Sequence, residues 1–258
     1  MERIILIETS TALCSVALAE DGAVTAYRES SAPKAHASLT AVFIQEMLDE
    51  RELKLADCDA VCVSMGPGSY TGLRVGVSTA KGLCFGAGKP LLAVGTLDTL
   101  VAQASGEIAG QAGNDGQQTG KDGQQTGNDG CTSVVIPGLT GNPRFIIPMV
   151  DARRMEVYTA VFENGRQIAE TAPAIIDENS FAEYLEQGPC LFIGDGAGKC
   201  ADVIRHPNAH FCQCHPKASS MLAPALAAYR AGDFKDVAYF EPFYLKEFVA
   251  TVSKKKLW

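Results

Sequence analysis

Apolar residues along the chain fall into short runs whose spacing alternates between the two-residue period of a strand and the 3.6-residue period of a helix. Arg3–Glu8, Cys14–Leu18 and Val24–Arg28 read as three short strands joined by tight turns. From about His36 to Glu50 the period changes. Leu39, Phe43 and Met47 line one stripe there, with Ile44 and Leu48 beside it, which predicts an amphipathic helix. Asp59–Ser64 reads as a buried strand, and a Gly-rich turn then opens a helix from about Thr71 to Gly86. Pro90–Val94 is another strand, and Thr96 stands where it would cap a helix reaching about Ala104.

The same order recurs further on. Phe145–Val150, Glu156–Phe162 and Gln167–Glu170 read as three strands, and Ser180 with Glu183 forms a capping box for a helix to about Glu186. Cys190–Ile193 is a strand, followed by a Gly-rich turn and a helix from about Gly196 to Ile204. His210–Gln213 is a candidate strand, and Ser219–Arg230 a helix that stops near Gly232. Two halves of like order and unlike sequence predict an α/β, actin-like (ASKHA, ribonuclease H-like) fold of two duplicated βββαβαβα halves. The expected division is 1–105 for the first half, joined by the C-terminal helix 218–232, then a low-complexity loop and linker over 106–143. A second, smaller half over 144–217 and a tail over 233–258 complete it.

One segment inside that linker stands apart. Asn114 to Gly130 reads NDGQQTG-KDGQQTG-NDG, a seven-residue tandem repeat with no apolar residue to bury. Such a segment cannot offset the entropy of ordering, so it is expected to be a disordered surface loop. A coiled coil would need apolar residues at heptad spacing.

Composition narrows the function. The 258 residues are 47% hydrophobic, enough for a sizeable core, and carry a formal net charge of −8. An acidic chain repels phosphate backbones and is a poor candidate for gripping RNA alone. The N-terminus does not resemble a signal peptide, because Ile4–Ile7 is short and meets Glu8, and no run reaches the length of a membrane span. Nine irregularly spaced cysteines, several inside apolar runs, fit reduced thiols in a cytoplasm.

In the actin-like plan a hairpin turn from each half meets the phosphates of a nucleotide, normally with a glycine for close backbone approach. Here the first turn is Glu8-Thr9-Ser10-Thr11-Ala12 and the second Asp151-Ala152-Arg153-Arg154-Met155, both without glycine. Glu8 and Asp151 read better as strand-end polar residues than as magnesium ligands. Gly194-Asp195-Gly196-Ala197-Gly198-Lys199 follows a strand and opens a helix as a nucleotide-contact turn does, yet it is no Walker A loop. A structural tight turn explains it equally well. Thr9 and Ser10, with Gly194, Asp195 and Gly196, are thus the candidate remnant of a nucleotide site. His206, His210, Cys212, Cys214 and His215 are soft metal ligands close in sequence. Pro207 disfavours a helix that would align the first two, and the alternation of Cys212 and Cys214 suits a strand with thiols in a core, so no metal site is assigned.

The most informative string is Ser64-Met65-Gly66-Pro67-Gly68-Ser69-Tyr70-Thr71-Gly72-Leu73-Arg74-Val75-Gly76. The helix it opens is rich in small residues that lower helix propensity. Leu73, Val77, Ala80 and Cys84 share one stripe, and Arg74, Ser78, Lys81 and Phe85 another. A core stripe with a second small-residue face suggests a helix–helix contact with a partner chain, while tight packing within the monomer fits the spacing equally well.

GPGSYTGLRVG resembles the signature of the TsaB (YeaZ) family. Ile4–Ser10 is similar to that family's first strand, with Glu8 where Asp is usual. Asp151–Tyr158 resembles its second hairpin, and Glu241–Lys246 its C-terminal Pro-x-Tyr-Leu-Arg/Lys tail. The resemblance implies a non-catalytic scaffold or activating subunit that pairs with TsaD for threonylcarbamoylation of adenosine 37 in ANN-decoding tRNAs. It implies contact through the helix after GPGSYTGLRVG, for which Tyr70, Thr71, Arg74, Val75, Ser78, Lys81 and Cys84 are the candidate residues. It further implies a homodimer when alone, TsaE in a ternary complex, tRNA reached only through the complex, and no catalytic residue or cofactor of the chain's own. ATP and threonylcarbamoyl-AMP are then used by other subunits. An independent ATP-binding enzyme, or a glycoprotease-like peptidase, is the alternative.

Overall fold

The computed structural model of the chain describes residues 2–114 and 142–246. Strand β1 (Arg3–Glu8) pairs antiparallel with β2 (Cys14–Glu20), and β2 with β3 (Ala23–Ser30). On its other edge β1 runs parallel to β4 (Ala60–Ser64), which is parallel to β5 (Leu91–Val94). Helices α1 (Ala35–Glu50), α2 (Tyr70–Ala87) and α3 (Thr96–Asn114) alternate with these last strands. The second sheet is built from β6 (Phe145–Asp151), β7 (Glu156–Glu163), β8 (Arg166–Ile175), β9 (Cys190–Gly194) and β10 (Ala209–Gln213). The helices in this part of the chain are α4 (Ala182–Leu185), α5 (Ala197–Ala201) and α6 (Leu222–Ala231), the last of which packs on the first sheet. The strand orders β3-β2-β1-β4-β5 and β8-β7-β6-β9-β10 are the same, so the doubling of βββαβαβα is present in the fold as well as in the pattern.

Each sheet is covered on both faces, which is why the central strands are apolar throughout rather than alternating. In β1, Ile5 and Ile7 point to one side, where they meet Ile44 and Met47 of α1 and Val77 and Ala80 of α2. Ile4 and Leu6 point to the other, against Met221 and Ala225 at the start of α6. Leu97, Leu100, Val101 and Ala104 of α3 lie on the second sheet, against Val150, Phe162, Leu191 and Ile193. The opposite face of that sheet closes on α4 and α5 through Leu185, Ala197 and Cys200. Each of the buried Ile and Leu side chains stabilises the fold by roughly 1.5–3 kcal/mol.

Several elements differ from expectation for local reasons. Helix α3 does not stop at Ala104 but runs on to Asn114, with the Ser105 hydroxyl donating back to the Val101 carbonyl (3.0 Å). The Thr96 hydroxyl caps nothing; Thr96 lies inside α3 and its backbone N–H donates to Gly66 O (2.9 Å). Ser180 is no N-cap either: it is bonded to Asp177, and the short α4 starts beyond Phe181, whose φ is 63°. Periodicity ends the third strand of the second half at Glu170, whereas β8 extends to Ile175. Gly232 closes α6 in the left-handed conformation, with φ 69°, as its position predicts. The tandem repeat beyond Asn114, and the tail from residue 247, lie outside the described residues. No helix of the described residues is long and apolar enough to cross a membrane.

Candidate functional site

The β1–β2 turn and the N-terminal half of α2 are pressed together. A Cβ on Gly72 would lie 2.1 Å from the Thr9 carbonyl oxygen, and one on Gly76 2.2 Å from Thr9 Oγ1. Thr9 Oγ1 donates to Gly72 O (2.9 Å), and Ser69 N donates to Ser10 O (2.6 Å). Thr9 and Ser10 are therefore fully buried, and this contact corrects one expectation and decides between two readings of another. The first turn is closed to a nucleotide, so Thr9 and Ser10 do not line an open site. Gly72 and Gly76 are small because of Thr9, not because of a partner helix.

Glu8 is sealed beneath the same contact. Its Oε1 accepts from Ser10 N (2.7 Å), while Oε2 has no partner among the described residues. Burial pushes its pKa up to about 7, against the lowering effect of the Ser10 hydrogen bond. Cys14, Tyr27 and Cys62 around it are pushed up as well, chiefly by burial.

The second turn is filled from within. Lys199 of α5 bonds the Asp151 carboxylate and the carbonyls of Arg154 and Glu156 (both 2.7 Å). Asp195 accepts from Asp151 N (2.9 Å), lies 3.8 Å from His215 Nδ1, and has its pKa raised by burial. A Cβ on Gly194 would sit 2.1 Å from Met149 O and one on Gly196 3.2 Å from it, so these glycines admit the chain's own β6. The residues do not fit a magnesium–nucleotide: one carboxyl is buried and favours its proton, and the other is neutralised by Lys199. Cys212 is buried and His206 Nδ1 accepts from Asn208 N (3.1 Å). The described residues hold no group of three His, Cys, Asp or Glu side chains that could take a metal ion.

What stays open is the other side of α2. Tyr70, Arg74, Ser78 and Lys81 line one recess of about 310 Å³ together with Phe240, Glu241 and Tyr244 of a C-terminal strap. Lys81 Nζ donates to the carbonyls of Ala238 (2.9 Å) and Phe240 (3.1 Å), and Phe243 N donates to Met65 O (2.7 Å). Tyr244 packs on Tyr70 with ring centroids 5.0 Å apart, and the Arg74 guanidinium lies over Tyr70. Further along, Lys81, Gly82 and Phe85 face Asp236, Val237 and Ala238 across a shallow, mainly apolar hollow. Phe85 is 85% exposed and Tyr239 84% exposed. Thr71 is exposed and Val75 half-buried on the adjoining stripe. Cys84 does not belong with these candidates: it is buried in the core with its thiol toward Pro90 O, on the stripe of Leu73, Val77 and Ala80. Phe85, one residue on, takes its place, and its four-residue spacing from Lys81 was the signal for it. The strap's part in the face had no signal at short range.

The family model of TsaD, tRNA N6-adenosine threonylcarbamoyltransferase, matches residues 29–114, which hold α1, β4, α2, β5 and α3. The tRNA threonylcarbamoyladenosine biosynthesis protein TsaB of Escherichia coli (strain K12) is 29% identical over 96% of this chain and 96% of its own length. A tRNA N6-adenosine threonylcarbamoyltransferase of Agrobacterium fabrum is 42% identical over 26% of this chain and 18% of its own. The solved YeaZ of Pseudomonas aeruginosa has the same fold, with a TM-score of 0.72 at 24% identity over 95% of this chain and 100% of that one. Fold and site together define an actin-like α/β protein whose two phosphate turns are closed by its own residues. More narrowly, the chain is similar along almost its whole length to a tRNA threonylcarbamoyladenosine biosynthesis protein of the TsaB (YeaZ) family.

Two outcomes follow from the closed turn. Gly72→Ala is expected to destabilise the chain by several kcal/mol in denaturant unfolding, as its methyl meets backbone. Gly82→Ala, where a Cβ meets nothing within 4 Å, gains up to about 1 kcal/mol of helix propensity. Equal effects of the two would contradict the wedge. Glu8 has a folded pKa raised from 4.5 to about 7, so its contribution is full below about pH 4.5 and lost as pH rises through about 7, a change of ~3 kcal/mol. Glu8→Gln should remove that part of the pH dependence between pH 5 and 8. An identical slope in both proteins would show that Glu8 ionises freely.

Proposed function

We propose that this chain is a non-catalytic subunit for threonylcarbamoylation of adenosine 37 in tRNA, and that the outer face of α2 docks it to a TsaD-type transferase. The observation that carries the reading is the division of α2. Its inward side is filled by Thr9, while its outward side presents Phe85 and the Tyr70–Tyr244 pair to solvent. Exposed aromatics around a recess are the usual anchors of a protein interface. The transferase family model matches the segment that carries α1 and α2, so a transferase would bring a related surface, and two related surfaces can meet about a pseudo-twofold axis. The same geometry would let two copies of the chain pair when the partner is absent.

Closed phosphate turns speak against an independent ATP-using enzyme. In this reading the chain needs no cofactor, ATP and threonylcarbamoyl-AMP are handled by other subunits, with TsaE as a third component, and tRNA is met within the assembly. The eight described cysteines are all free thiols, which suits a reducing cytoplasm.

Phe85→Glu and Ser78→Arg change exposed side chains, so both variants should unfold as the parent does. Mixed with the purified transferase and weighed by size-exclusion chromatography with light scattering, the parent should form a stable heteromer. Each variant should bind ~30-fold or more weakly, the effect of losing an interface anchor worth ~2 kcal/mol. Heteromers of unchanged mass and affinity would place the interface elsewhere.

A further inference from the structure

Arg153 and Arg154 stand side by side at the tip of the β6–β7 hairpin, exposed, with φ of 69° and 54°. For residues other than glycine, asparagine or aspartate the left-handed region costs about 1–2 kcal/mol each, so this tip carries strain that a Gly or Asn pair would avoid. Neither guanidinium has an ion-pair partner among the described residues, as is also so for Arg74, Arg166 and Arg205, whereas Arg3, Arg28, Arg51, Arg144 and Arg230 each bond a carboxylate. The hairpin's two carboxylates have their own lysines: Asp151 pairs with Lys199, and Glu156 with Lys246. The arginines are thus a local positive excess on a chain of net charge −8.

We propose that Arg153 and Arg154 form a clamp for the phosphodiester backbone of RNA. A guanidinium presents paired donors that match phosphate oxygens, and strain retained at an exposed tip points to a use for the side chains. A nucleotide phosphate offers the same oxygens but would need the backbone cradle behind the tip. There Arg153 N already donates to Asp151 Oδ1 (2.9 Å) and Lys199 fills the base of the hairpin, leaving outward side-chain contacts. The strap connects this tip to the α2 face, since Tyr244 packs on Tyr70 and Lys246, two residues on, reaches Glu156. The inference rests on the reading above only in that the RNA is the tRNA handled by the assembly.

The test uses the heteromer with the transferase and compares the parent with the double variant Arg153→Gly, Arg154→Gly, which relieves the strained backbone while deleting both guanidiniums. The variant should be at least as stable as the parent, form a heteromer of the same mass, and bind tRNA more weakly. Its slope of log affinity against log salt should be smaller by about two, one for each phosphate that is no longer neutralised. Arg153→Lys with Arg154→Lys should restore most of that slope. Equal tRNA affinity and equal slope for parent and glycine variant, in heteromers of equal mass, would overturn the clamp. So would loss of ATP binding with tRNA binding unchanged, which would put a nucleotide there instead. A parent chain that forms no heteromer would count against the docking face; tRNA binding by the isolated chain that the glycine substitutions leave unchanged would then overturn the clamp.

Discussion

The structure turns on one close contact, the β1–β2 turn seated against the glycines of α2. Thr9 occupies the space that a Cβ on Gly72 or Gly76 would take. This fixes how α2 lies on the first sheet, with Leu73, Val77, Ala80 and Cys84 inward. It also decides which side is left for anything else, so Arg74, Ser78 and Phe85 face outward. The same contact shuts Glu8 and Ser10 away from solvent. One backbone approach thus both closes the β1–β2 turn and sets which face of α2 stays exposed.

The second half reaches a similar end by charge rather than shape. Lys199 fills the concave side of the β6–β7 hairpin, satisfies Asp151 and two carbonyls, and leaves Asp195 to hold the backbone of Asp151. A partly buried lysine–carboxylate arrangement of this kind is stable because each donor finds an acceptor. The C-terminal strap then ties the two halves along the α2 side, from Lys235 beside β5 to Lys246 on Glu156 of β7.

Much of this was legible in the sequence. The two periods of apolar residues showed the order of the strands and helices though not all of their ends, and the missing glycines in Glu8–Ala12 and Asp151–Met155 already spoke against phosphate cradles. The stripe containing Arg74, Ser78, Lys81 and Phe85 was readable from four-residue spacing alone. Long-range facts were not. That Gly72 and Gly76 answer to Thr9, more than sixty residues away, requires knowing that β1 and β4 are neighbours. Cys84 entered the candidate face although its own spacing from Leu73, Val77 and Ala80 placed it in the core. The strap's contribution depends on Lys81 meeting carbonyls at Ala238 and Phe240, which no local pattern encodes. Ser180 shows the converse, where a local signal for a cap is overridden by its bonds to Asp177.

The most direct measurement is photo-crosslinking from Phe85→p-benzoylphenylalanine in the presence of the transferase. Tyr239→p-benzoylphenylalanine serves as a second reporter, and Ile175→p-benzoylphenylalanine, on the equally exposed surface of the second half, as the control. A covalent adduct with the transferase is expected from positions 85 and 239 and none from 175. An adduct from 175 alone, with a heteromer present and positions 85 and 239 silent, would contradict it.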